Sequence, residues 1–135
     1  MSLFLLDTNM VSFVIKGNFP AVRQKLLTIA MEDVAISTVT EAELRYGLAR
    51  KGSPAALETL ISAFFKRVAI LPWDSEAARA YGDLRTLCSA HGVVLSALDM
   101  MIAAHAVATR ATLVTHDRAF SHIPNGVLTI EDWTE

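Results

Sequence analysis

The sequence predicts an α/β protein in which an open, mostly parallel sheet of five short strands carries helices on both faces. Three observations predict it. Apolar runs of about four residues alternate along the chain with longer segments of helical periodicity, the pattern of βαβ units. Hydrophobic residues make up 53% of the 135 residues and mean hydropathy is +0.39, as expected where strands are covered on both faces. Gly17, Gly52 and Gly92, with Pro20 and Pro54, punctuate the segment ends.

Each element follows in order. Leu3–Leu6 reads as a buried strand ending at Asp7. Thr8–Lys16 is a helix stopped by Gly17, since glycine tolerates the left-handed turn at a helix end. Pro20 opens a second helix from Ala21 to Met31. Val34–Ser37 is the second strand. Thr38 caps a helix to Lys51, with Glu41 completing a capping box and pairing with Arg45. Ser53-Pro54 starts a helix that ends near Lys66, and Val68–Leu71 is the third strand. Asp74 caps a long helix to Ala90, in which Asp83 is spaced to pair with Arg79. Ser96 caps a very apolar helix to Thr109. Thr112–Thr115 and Val127–Ile130 are the fourth and fifth strands, and Glu131, Asp132 and Glu135 form a polar tail. Neither a repeat nor a linker interrupts the chain, so residues 1–135 read as a single domain.

Composition excludes several classes. The net charge is −2 and the pI about 6.1, so this is no polybasic nucleic-acid binder. Cys88 is the sole cysteine, and an internal disulfide is impossible. No stretch has the ~20 apolar residues of a membrane-spanning helix. The opening Met1-Ser2-Leu3-Phe4-Leu5-Leu6 lacks a basic region and meets Asp7 too early for a signal peptide. A soluble, cytoplasmic protein with no membrane partner is expected. No Gly-x-x-x-x-Gly-Lys loop exists, which removes P-loop NTPases.

Among the 14 acidic residues, four lack a sufficient surface role. Asp7 ends the first strand, where it either caps the following helix or serves a site. Glu43 lies about 200° round its helix from Glu41, bordering Leu44 and Leu48. Asp99 shares a helix face with Ile102, Ala103 and Ala106, and a charge buried there needs a partner or a metal. It also fits a capping box with Ser96. Asp117 follows the fourth strand and caps a short turn over Arg118–Phe120 or serves the same site. All four belong at the carboxyl-end rim of the sheet, where open α/β sheets bind ligands. Carboxylates gathered there repel one another, and a hard divalent cation, Mg²⁺ or Mn²⁺, relieves the conflict. Thr8, Asn9 and Thr115 stand beside these acids and are placed to orient carboxylates or waters.

The segments Leu5-Leu6-Asp7-Thr8-Asn9, Glu43-Leu44-Arg45-Tyr46-Gly47, Asp99-Met100-Met101-Ile102-Ala103-Ala104-His105-Ala106 and Leu113-Val114-Thr115-His116-Asp117-Arg118-Ala119-Phe120 resemble the four motif blocks of PIN-domain VapC toxins, in the same order. The terminal Ile130-Glu131-Asp132-Trp133 is similar too, and the resemblance covers essentially the whole chain. It implies a three-layer α/β/α sandwich with a mostly parallel five-stranded sheet, and a homodimer. It implies a metal-dependent endoribonuclease acting on structured RNA, tRNA foremost, with Asp7, Glu43, Asp99 and Asp117 as the catalytic and metal-binding acids. It also implies a VapB-type antitoxin whose C-terminal segment blocks the site. Ser96-Ala97-Leu98 departs from the Pro-Tyr or Gly-rich stretch that many relatives carry before the third acid.

Arg45, Arg118 and His116 are the candidate RNA contacts, and Arg50, Lys51 and Arg110 are further helix-end cations within reach of phosphates. Tyr46 is placed either to stack on a base or to pack. His105 reads as a core histidine. The rival readings are a catalytically silent PIN-like module that binds RNA or protein, and a receiver-type phosphoacceptor domain. A receiver needs adjacent acids after the first strand and a late lysine. Asp7 is instead followed by Thr8-Asn9, and no lysine follows Lys66.

Overall fold

In the computed structural model, which describes residues 2–135, five strands form one sheet. They are β1 (Phe4–Leu6), β2 (Val34–Ser37), β3 (Ala69–Leu71), β4 (Thr112–Val114) and β5 (Thr129–Glu131). Their order is β3-β2-β1-β4-β5, and all four pairings are parallel. The expectation of a mostly parallel sheet is met by a wholly parallel one. Met1, the first residue of the opening apolar run, lies outside the described residues.

The helices are α1 (Thr8–Lys16), α2 (Pro20–Leu27), α3 (Thr38–Arg50), α4 (Ala55–Arg67), α5 (Ser75–Ala90) and α6 (Ala97–Thr109). Successive strand residues face opposite sides of a sheet, and the core divides accordingly. Leu5 and Leu113 face one cluster with Leu84, Cys88 and Ile102 from α5 and α6. Leu6 and Val114 face the other, with Met10, Ile61 and Phe64 from α1 and α4. Two apolar layers enclosing a buried sheet make the three-layer α/β/α sandwich. No described helix is long and apolar enough to cross a membrane.

Four local expectations are corrected. The second helix ends at Leu27, and Met31–Asp33 is a separate 3₁₀ turn. Thr28 is its C-cap, and the Thr28 hydroxyl donates to the Lys25 carbonyl at 2.7 Å. The cap of α3 is Ser37, whose Oγ accepts from Val39 N at 3.1 Å. Thr38 Oγ1 instead accepts from Trp73 N, tying α3 to the segment after β3. Arg79 pairs with Glu76, not Asp83. The fifth strand starts two residues later and ends one residue later than the apolar run suggests, so Glu131 belongs to the sheet edge rather than a tail. Trp133 beyond it is buried against Phe4, with ring centroids 5.5 Å apart.

The order of strands decides where a site forms. From β1 the chain passes to β2 on one side, and β4 later pairs on the other. That reversal opens a crevice beyond the carboxyl ends of β1 and β4, the usual ligand position in such sheets.

Candidate active site

Asp7 occupies that crevice. Its backbone is still extended as β1 ends, and the side chain serves two partners at once. Oδ1 accepts from Met10 N at 2.9 Å, capping α1, and Oδ2 accepts from the Thr115 hydroxyl at 2.5 Å. The capping expectation is met by Oδ1, while Oδ2 is held by Thr115 beyond the end of β4. The residue is 5% exposed. Burial pushes its carboxyl up from 3.8 to about 6, the Thr115 and Met10 hydrogen bonds oppose this, and Asp99 and Asp117 add repulsion.

Asp99 lies in the first turn of α6, half-buried, and its N–H donates to Ser96 Oγ at 3.2 Å. Burial raises its carboxyl too, against the Ser96 hydroxyl and with a further push from Asp117. Asp117 is exposed and caps the 3₁₀ turn Arg118–His122 by accepting from Ala119 N. Its own N–H donates to Thr115 Oγ1 at 3.0 Å. Glu43 enters from α3, half-buried, and accepts from Thr8 Oγ1 at 2.6 Å. The structure thus brings Asp7, Asp99 and Asp117 within mutual electrostatic reach, and Glu43 joins through the neighbour of Asp7.

Among the described residues, no three Asp, Glu, His or Cys side chains are already gathered at chelating range. The donor chemistry nonetheless fits a hard divalent cation: every candidate ligand is a carboxylate oxygen, and buried Asp7 lacks a compensating positive charge.

The other expected residues divide. Thr8 and Thr115 hold Glu43 and Asp7 respectively, whereas Asn9 is exposed without a side-chain hydrogen bond among the described residues. Arg45 is bound to Glu41 at 2.8 Å and lies over the Phe65 ring. Arg118 is exposed and forms no ion pair among the described residues. His116 Nδ1 meets Asp132 Oδ2 at 2.8 Å, and its ring packs on Phe13 and Phe19. Burial opposes ionisation of Asp132, but hydrogen bonds from His116 and Thr134 prevail and hold its carboxyl below the usual range. His105 is a core residue as expected, its Nδ1 2.7 Å from Ser37 Oγ. Arg110 ends α6 just before β4 begins, at the opposite edge of the sheet from the acids. Tyr46 is 67% exposed and borders an apolar hollow of about 730 Å³ with Trp73, Leu98 and Met101, beside Glu43.

Sequence reasoning overlooked two features. Ser37 supports both α3 and His105, and only the tertiary contact shows it. Lys16 lines a groove with Glu43, Arg50 and Lys51. The recurrence of Thr8, Ser12 and Lys16 at intervals of four was the available signal.

The PIN domain family profile matches residues 4–126. Ribonuclease VapC2 of Rickettsia felis is 32% identical over 133 residues, covering 97% of this chain and 98% of the relative. The tRNA(fMet)-specific endonuclease VapC of Salmonella typhimurium is 32% identical over 131 residues, covering 96% and 97%. Among solved structures, DNA-bound VapBC from Salmonella typhimurium superposes with a TM-score of 0.89 at 32% identity, covering 98% of this chain and 99% of the other. VapBC2 from Rickettsia felis, bound to a promoter DNA fragment, gives 0.88 at 31% identity, covering 97% and 98%.

Proposed function

Because the chain belongs to the PIN-domain family, we propose that it is the endoribonuclease toxin of a type II toxin–antitoxin pair, a single domain over residues 1–135 acting in the cytoplasm. The substrate is structured RNA, tRNA foremost, as the name of the Salmonella relative suggests. Asp7, Asp99, Asp117 and Glu43 form the catalytic and cation-binding rim. The observation that carries this reading is buried Asp7, its carboxyl raised to about 6 by burial and by Asp99 and Asp117.

Mg²⁺ or Mn²⁺ held among these acids supplies charge neutralisation at the scissile phosphate and an acidified water. The chain's own residues do the positioning. Thr115 fixes Asp7 Oδ2, the α1 cap fixes Oδ1, and Thr8 fixes Glu43, so the carboxylates face the phosphate without reorganising. Water rather than the ribose 2′-hydroxyl is the nucleophile, so products carry 5′-phosphate and 3′-hydroxyl ends.

A VapB-type antitoxin is the protein partner. The VapBC complexes among the structural relatives support it. So does an apolar groove of about 410 Å³ between α2 and α4, where Leu27 is 87% exposed. A homodimer fits the further exposed apolar side chains Tyr46, Val94 and Leu98. A second reading, a silent RNA- or protein-binding module, draws on the open spacing of the acids. Purified protein incubated with total bacterial RNA separates the two. Cleavage with Mg²⁺ or Mn²⁺, absent with EDTA and in Asp7→Asn and Asp99→Asn, supports the nuclease. Metal binding with no cleavage of any RNA removes it.

A further inference from the structure

A groove of about 170 Å³ runs between α1 and α3, from Thr8 and Glu43 at the carboxylate rim to Lys16, Arg50 and Lys51, with Ile15, Leu44, Leu48, Leu57 and Ile61 also lining it. On α1 its wall is the stripe of Thr8, Ser12 and Lys16 together with Ile15. The three cations lie about 10–12 Å along the helices from the acids, at 1.5 Å rise per residue. None of them forms a salt bridge among the described residues. Arg50 rests over the Tyr46 ring, its guanidinium carbon 5.8 Å from the centroid. In a chain of net charge −2, three unpaired cations at one end of a groove form a local field opposite in sign to the whole molecule.

Helix-end electrostatics accounts for cations at the C-termini of α1 and α3. It does not account for Gly47, which lines the groove between Glu43 and Arg50. A glycine in a helix interior is less stable than alanine there, because it loses more backbone entropy. Here the backbone does not require one, since φ is not positive, and nothing lies within 4 Å of a Cβ built at this position. Packing does not require it either. What the missing side chain does is leave the groove open at its middle.

We propose that the α1–α3 groove holds the sugar–phosphate backbone of the RNA strand leading away from the cleavage point, with Lys16, Arg50 and Lys51 contacting its phosphates and Gly47 providing clearance. The inference rests on the nuclease reading, because the phosphates held are neighbours of the one cut. Such contacts set register and carry no base preference.

The test is fluorescence anisotropy of a fluorescein-labelled single-stranded RNA over a salt series, in EDTA so that nothing is cut. Wild type is compared with the triple variant Lys16→Gln/Arg50→Gln/Lys51→Gln and with Gly47→Leu. The triple variant should bind more weakly, with a slope of log affinity against log salt shallower by about 2, at roughly 0.7 per lost phosphate contact. Gly47→Leu should weaken binding several-fold while keeping every charge and a melting temperature no lower than wild type. A purely helix-capping role would lower the melting temperature of the triple variant and leave its salt slope unchanged, which overturns the proposal. It also falls if Gly47→Leu binds as wild type does. If the triple variant loses a polyglutamate peptide but keeps the wild-type RNA slope, the groove takes acidic protein, and the proposal is again overturned. Cleavage in Mg²⁺ is measured beside it. Wild-type cleavage with equal slopes sinks the groove alone, whereas no wild-type cleavage sinks the nuclease reading.

Discussion

Thr115 holds Asp7 across 108 positions of sequence, donating its hydroxyl proton to Oδ2 at 2.5 Å. Thr115 Oγ1 in turn accepts from the Asp117 N–H at 3.0 Å, so one hydroxyl sets two of the four acids. Thr115→Val keeps the shape and removes the hydroxyl. A buried carboxylate oxygen and a partly buried amide then lose their partner, a cost of about 1–3 kcal/mol. Urea denaturation should show that loss, RNA cleavage should fall, and Thr115→Ser should recover most of both. A valine variant with wild-type stability and activity would contradict the linkage.

Asp7 and His105 make stability depend on pH in opposite senses. The Asp7 carboxyl is raised from 3.8 to about 6, so the fold prefers its protonated form. Its contribution is full below about 4 and lost as pH rises through about 6, a change of roughly 3 kcal/mol. Burial lowers His105, against a weaker opposing pull from Asp74, so the fold prefers the neutral ring. That contribution is present above the ordinary value of 6.5 and lost as pH falls below it. Denaturation of metal-free protein across this range should show Asp7→Asn more stable than wild type at pH 7. The margin should shrink towards pH 4. Equal margins at both ends would contradict the burial of Asp7 as an acid.

Ser37 has two dependants, the Val39 N–H that begins α3 and the buried ring of His105. Ser37→Ala removes a helix cap, about 1 kcal/mol, and strands Nδ1, about 1–3 more. A destabilisation near 2–4 kcal/mol is expected by denaturant titration. A loss below about 0.5 kcal/mol, the usual range of a neutral surface change, would show that the pair contributes nothing.

The proposed divalent cation should stabilise the folded chain, because a ligand of the carboxylate rim binds only where that rim is assembled. At 100 times its dissociation constant a ligand adds about 2.7 kcal/mol. Mn²⁺ should therefore raise the melting temperature of wild type and leave Asp99→Asn nearly unmoved. The same rise in both would place the cation elsewhere.

The sheet and its helices were legible because apolar runs and helical periodicity are local signals, and Thr8–Lys16, Val34–Ser37 and Asp74-capped α5 fall where those signals put them. Asp7 was legible as an acid at a strand end, but not as a residue serving two partners, since Thr115 meets it only through β1–β4 pairing. Ser37 and Thr38 offer the same hydroxyl at adjacent positions. The choice of Ser37 as cap depends on Trp73 claiming Thr38. Arg79 had acids within a helical turn on both sides, and periodicity alone cannot choose between Glu76 and Asp83. The end of β5 was misplaced because Glu131 is polar while its backbone pairs with β4, which hydropathy does not report.

The central place of β1 ties the rim to the timing of protein synthesis. Asp7 is made 108 positions before Thr115, and Thr115 and Asp117 reach it only beyond β4, the strand that pairs later with β1. A ribosome adding roughly 5–20 residues per second needs about 5–20 s to pass from one to the other. Throughout that interval the nascent chain carries Asp7 without its Thr115 partner. The contacts that tie Asp7 to the far side of the crevice therefore form only after those 108 positions have been added.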